Sequence, residues 1–89
     1  MFGLFKKASP EERLTEELAG AIRSTVSLAL REFPLKETQG IYVRMAIDTC
    51  RQTALDRSQY LARKYGLTVY QVYGVISKCH FKALEYFLE

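Results

Sequence analysis

The sequence predicts an all-α fold, a compact bundle of three long helices that becomes four if the middle helix breaks near Asp56. Three observations predict it. Apolar residues recur at three- and four-residue steps along most of the chain, the period of a helix rather than of a strand. Helix-start and helix-stop signals punctuate that pattern. Five Gly and two Pro in 89 residues are too few for a loop-rich or all-β domain of this size. A hydrophobic share of 48% with 26% charged residues argues against a disordered chain, and the length leaves room for one domain. We expect residues 9–89 to form it, behind a flexible apolar-basic tip at residues 1–8.

The first helix opens at Ser9-Pro10-Glu11-Glu12. Ser9 caps, Pro10 suits a position whose amide has no helical partner anyway, and Glu12 completes a capping box. Leu14, Leu18, Ile22, Val26 and Phe33 form its apolar stripe, and Pro34 stops it. Ala19-Gly20-Ala21 makes a smooth notch for close approach by another helix of the bundle or by a second subunit. Pro34 to Gln39 reads as the connection. The second stretch opens near Gly40, with Val43, Ile47, Cys50, Ala54, Leu61 and Tyr65 on one face, and Gly66 ends it in the left-handed conformation. It is long for so small a domain, and Asp56 or Ser58 is a ready cap for a new helix after a break. Thr68 caps the last helix, with Gln71 as its capping-box partner. Val69, Val72, Tyr73, Ile76, His80, Leu84 and Phe87 make its stripe, widened by Val75, Cys79 and Ala83 into an arc that presses the helix between neighbours.

The formal charge is +3. Residues 1–33 and 67–89 each balance to zero. The excess lies in 34–66, where Lys36, Arg44, Arg51, Arg57, Arg63 and Lys64 meet only Glu37, Asp48 and Asp56. Arg44 and Arg51 share one helical stripe, and Arg57 and Lys64 another. Exposed, such stripes either solvate the domain or track phosphates or an acidic partner. Two cysteines, Cys50 and Cys79, are too few for a disulfide scaffold and read as free thiols in a reducing compartment, which makes the cytoplasm the expected location. No apolar run reaches the roughly 20 residues that span a bilayer. Phe2, Leu4, Phe5, Lys6 and Lys7 form a tip suited to weak contact with an anionic membrane surface. The terminal Leu88-Glu89 matches the dipeptide that commonly precedes a purification tag, and no reading rests on it.

The segment 58–77 places Ala62, Gly66, Leu67, Thr68, Val72 and Val75 at characteristic spacings. It resembles the helix-turn-helix of bacterial DNA-binding proteins, in which a small residue lets two helices cross and branched residues lock the second on the first. The resemblance implies a recognition helix starting at Thr68. That helix offers Val69, Tyr70, Gln71, Tyr73, Gly74 and Ser77, of which only Gln71 reads bases well. Four of the six tyrosines, Tyr60, Tyr65, Tyr70 and Tyr73, interleave with Arg63 and Lys64, a mixture that suits protein interfaces or stacking on single-stranded bases.

Catalysis finds little support. His80 is the one histidine and lies on an apolar stripe. Cys79 beside it points about 100° away, and no Cys-x-x-Cys pair or glycine-rich phosphate loop is present. Cofactor and metal are therefore both read as none. The residues point to a non-enzymatic interaction module, an adaptor or regulatory subunit of bacterial type. Its partner surface would be Tyr60, Arg63, Lys64, Thr68, Tyr70, Gln71 and Tyr73, with Arg44, Arg51 and Arg57 as a basic stripe. The alternatives are a DNA-binding regulator using the turn at Gly66, and peripheral membrane association through the tip. A homodimer through the Gly20 notch is a further expectation. Burial of Tyr70, Gln71 and Tyr73 would defeat both the DNA reading and the tyrosine-patch reading.

Overall fold

The computed structural model describes residues 8–88, which form four helices: α1 (Pro10–Glu32), α2 (Lys36–Asp56), α3 (Ser58–Tyr65) and α4 (Val69–Leu88). The all-α bundle expected from the periodicity is observed, with the middle stretch broken. The tip residues Phe2, Leu4, Phe5, Lys6 and Lys7 lie outside the described residues.

Helix α1 starts as its sequence dictates. The Glu12 amide donates to Ser9 Oγ, and the Ser9 amide donates back to Glu12 Oε1 at 2.8 Å. Leu14, Ile22 and Val26 are buried, and Leu18 packs against them from the edge. Phe33 departs from expectation. It lies past the helix end, exposed, with its ring stacked on Tyr42 at 3.8 Å between centroids.

The connection is shorter than the segment Pro34 to Gln39. Helix α2 begins at Lys36, directly after an extended Leu35 whose carbonyl accepts from the Thr38 and Gln39 amides. The polar run 36–39 is its first turn, and Gly40 sits inside the helix. The reason is visible at this end of the molecule. No side chain between Val26 and Val43 is buried, so the α1–α2 hairpin runs about 10 Å past the core and needs no apolar period there. Leu28, Leu30, Leu35 and Ile41 are all exposed on this projecting end.

The break falls at Arg57, whose backbone serves as both the C-cap of α2 and the N-cap of α3. Neither Asp56 nor Ser58 caps α3 with its side chain. Asp56 accepts from Gln52 one turn back, and Ser58 is buried. Gly66 ends α3 at φ 67°, and the Leu67 amide donates to the Ala62 carbonyl. Only a residue without Cβ adopts that backbone cheaply. Thr68 and Gln71 then form the expected capping box, at 2.9 and 3.1 Å.

One core joins the four helices. Leu14, Val26, Ile47, Leu61 and Val72 are its largest fully buried side chains. Val75, Ile76, Cys79 and Ala83 commit one side of α4 to it. The principal extents of 47 × 34 × 19 Å make the molecule a slab about two helices thick. The Gly20 notch receives no helix: a Cβ there would meet only the Arg23 side chain, at 3.8 Å. The close approach expected at Ala19-Gly20-Ala21 is not made at Gly20, while α2 reaches the segment at Ala21, whose carbonyl oxygen lies 3.9 Å from Cys50 Sγ. None of the described helices is long and apolar enough to cross a membrane.

Candidate functional site

Because the slab is thin, α4 packs on α1, α2 and α3 with one side and leaves the other open. Tyr70 is 83% exposed, Phe81 65% and Tyr73 42%. Tyr73, expected on the buried stripe, therefore belongs to the outer face, about 100° round from Val72. Tyr70 and Tyr73 meet edge to face, 6.4 Å between ring centroids. Gly74 and Ser77 lie between these rings and Phe81, both exposed, and the space a Gly74 Cβ would fill is open. Phe81 is the residue sequence reasoning missed. The signal was present: Tyr70, Gly74, Ser77 and Phe81 follow a 4-3-4 spacing opposite Val72, Ile76, Cys79 and Ala83.

The expected partner surface divides into three groups instead of one constellation. The first is the Tyr70–Tyr73 pair with Gln71, at the start of α4. Gln71 is exposed, but its side-chain oxygen accepts from the Thr68 amide, so its best base-reading edge is engaged in the cap. The second is Tyr60 with Arg57, whose guanidinium lies 4.9 Å from the ring centroid. Arg63 is exposed beside it on α3. No ring or ion contact joins this group to Tyr70 or Tyr73 among the described residues.

The third group is a latch between α3 and α1. Glu17 Oε1 accepts from Lys64 Nζ at 2.8 Å and from the Tyr65 hydroxyl. Lys64 and Tyr65 hold the Glu17 carboxyl below its ordinary value, the hydrogen bond from Lys64 contributing most. The same carboxylate pushes Lys64 and Tyr65 upward. Lys64 is thus paired with Glu17, while Arg57 stays exposed against the Tyr60 ring and keeps its charge. Arg44 and Arg51 remain exposed on α2 without an ion-pair partner among the described residues.

The His80 side chain is largely buried, its Nε2 3.0 Å from Asp48 Oδ1 on the neighbouring helix α2. Cys50 and Cys79 are free, and burial pushes the Cys79 thiol upward. Among the described residues no group of three His, Cys, Asp or Glu side chains is placed to hold a metal ion. Two grooves flank α1. One, of about 210 Å³, runs between α1 and α2 with Ile47, Ala54 and Leu61 in its walls. The other, of about 360 Å³, lies between Ala19 and Arg23 of α1 and Lys82 and Tyr86 of α4. Comparison with protein-family models, with curated proteins and with solved structures gives no match. Function is therefore argued from the surface itself.

Proposed function

We propose that this chain is a small non-enzymatic interaction module, an adaptor or regulatory subunit, that engages a protein partner through the open face of α4. The observation that carries this reading is the exposure of Tyr70, Tyr73 and Phe81 on the helix richest in apolar residues. Tyrosine and phenylalanine give large contact area with few rotamers to freeze, and monomers seldom leave such rings together in water.

The same helix favours protein over duplex DNA. Its first cation is Lys78, and Gln71 is held by the capping box, which leaves the start of α4 poor in groups for base edges or phosphates. The free thiols suit a reducing compartment, in keeping with a cytoplasmic module.

The test is a photo-crosslinking amino acid at Tyr70, with Arg23 on α1 as the control position. The proposal expects a protein adduct from Tyr70 that persists in 0.5 M salt and is missing from Arg23. A nucleic-acid adduct that vanishes with salt would support the DNA-binding alternative instead, because phosphate contacts release counterions.

A further inference from the structure

We infer that the open face of α4 receives an acidic amphipathic helix of a protein partner, its apolar stripe on the rings and its carboxylates on cations at the two edges of the face. The inference rests on the reading of this face as a protein interface and supplies the partner's chemistry. It starts from what borders the rings. Asp48 Oδ1 lies 3.0 Å from His80 Nε2, which ties α2 to one edge of α4. Arg44 and Arg51 stand one turn to either side of Asp48, both exposed, so two cations overlook that edge. Arg51 also shares a groove wall with Ile76 and His80 of α4. The opposite edge belongs to α4 itself, where Lys78 and Lys82 follow one another a turn apart, again exposed. None of these four cations has an ion-pair partner among the described residues.

The face between those edges has the dimensions of a short helix. From Tyr70 to Phe81 it runs about 16 Å along the axis, or three helical turns. Gly74 and Ser77 leave a low seat between the rings, and the space a Gly74 Cβ would fill is open. Gly74 weakens an exposed helix while no contact within the chain requires it, and an apolar side chain entering the seat gives it a use.

Charge chooses among occupants. A second copy would bring the same four cations to the same edges, like facing like. Rings and cations together also suit a single nucleic-acid strand, but every nucleotide of a strand carries a phosphate. The α2 edge alternates in sign, Arg44 then Asp48 then Arg51, and exposed Glu85 ends the α4 edge. A backbone charged at each step would meet those carboxylates. A helix instead places its acids two turns apart, opposite Arg44 and Arg51, and leaves the position opposite Asp48 neutral or basic. An exposed ion pair is worth no more than about fivefold in affinity, so the edges select the partner while the rings hold it. That division leaves the Tyr70 adduct resistant to salt.

Fluorescence anisotropy of labelled, helix-stapled peptides titrated with the full chain tests this. One peptide carries a leucine stripe flanked by glutamates; its counterpart keeps the stripe and carries lysines. The glutamate peptide should bind at least about tenfold tighter than the lysine peptide. The double variant Arg44→Glu, Arg51→Glu should lose about tenfold or more for the glutamate peptide and gain affinity for the lysine one. Arg13→Glu with Arg31→Glu, the same change of charge on α1, should leave the preference nearly as it was. Gly74→Gln, which fills the seat, should weaken the glutamate peptide without touching a charge. A wild type that binds the two peptides equally, or binds neither, overturns the inference, as does a preference that the α1 variant abolishes as fully as the α2 one. Tighter binding of oligothymidylate than of the glutamate peptide would give the face to nucleic acid, and self-association in place of peptide binding would give it to a second copy; either overturns the acidic helix. A Tyr70 crosslink to a protein segment without acidic residues would overturn the acidic helix alone and leave the interaction-module reading standing.

Discussion

Leu61→Ala tests whether α3 is anchored as the structure describes. Leu61 is 1% exposed and is the one large apolar side chain that α3 buries, beside the small Ser58 and Ala62. Helix α3 has 8 residues, too few to persist on propensity alone, so its placement rests on that anchor and the Glu17 latch. Leucine-to-alanine changes in cores cost about 2.7–5.0 kcal/mol, rising with the cavity left behind. Leu61 borders the 210 Å³ groove, so the vacated space opens onto existing solvent-accessible room. That puts the cost toward the lower end, about 3 kcal/mol. A domain of this size has roughly 4–13 kcal/mol in total, so the loss is a large fraction. In urea melts followed by far-UV circular dichroism, with a slope of about 1.5 kcal/mol/M, the midpoint should fall by about 2 M. The melting temperature should drop by about 12–24 °C. Tyr70→Ser, on the open face, should stay within about 0.5 kcal/mol of the wild type. A Leu61→Ala loss below about 1 kcal/mol would refute the anchoring of α3 through this residue.

Three other outcomes follow from the same contacts. Glu17 is held below its ordinary value of 4.5, so its contribution to stability is present above that pH and lost as pH falls through the folded-state value. Tyr65 and Lys64 are held above 10.0 and 10.5, so their contributions are present below those values and lost at higher pH. Melting temperature against pH should therefore be level from about pH 5 to 9 and fall on both sides, the alkaline fall shared with the buried Cys79 thiol, and Glu17→Gln should shrink the acid limb and part of the alkaline one; unchanged limbs would show that the latch does not form. Gly66→Ala, at φ 67°, should cost about 1–2 kcal/mol in thermal melts, whereas Gly74→Ala should stabilise the monomer by up to about 1 kcal/mol. With a disulfide reagent, half-buried Cys50 should react well before Cys79, whose thiolate burial disfavours; equal rates would contradict the packing of α4 on α1.

Much of the fold is written locally. Ser9 with Glu12, Thr68 with Gln71, Pro34 and Gly66 are chemical punctuation, and each acts in the structure as its side chain, its ring or, for Gly66, its lack of a Cβ dictates. The start of α2 is less legible, because on a hairpin projecting past the core polar residues serve a helix as well as a loop. The exact break was hidden because Arg57 caps α3 through its backbone alone. The open face of α4 was read only in part. Tyr70 and Tyr73 stand out by residue type, but the broad apolar arc of α4 suggested burial on all sides. Only the thinness of the slab, which comes from how four helices share a small core, reveals which rings stay in water. Glu17 was equally invisible as a partner of Lys64 and Tyr65, since nothing in a linear sequence brings α1 to the end of α3.

Hydroxyl-radical footprinting of the unmodified chain measures the open face most directly, with Tyr86 as an internal control. Tyr86 is 80% exposed on a different flank of α4. In dilute solution Tyr70 and Phe81 should oxidise about as fast as Tyr86. With the bound partner present, Tyr70, Tyr73 and Phe81 should become protected while Tyr86 does not change. Slow oxidation of Tyr70 and Phe81 in the dilute chain would contradict an open face. Protection that falls equally on Tyr86 would contradict its use as the interface.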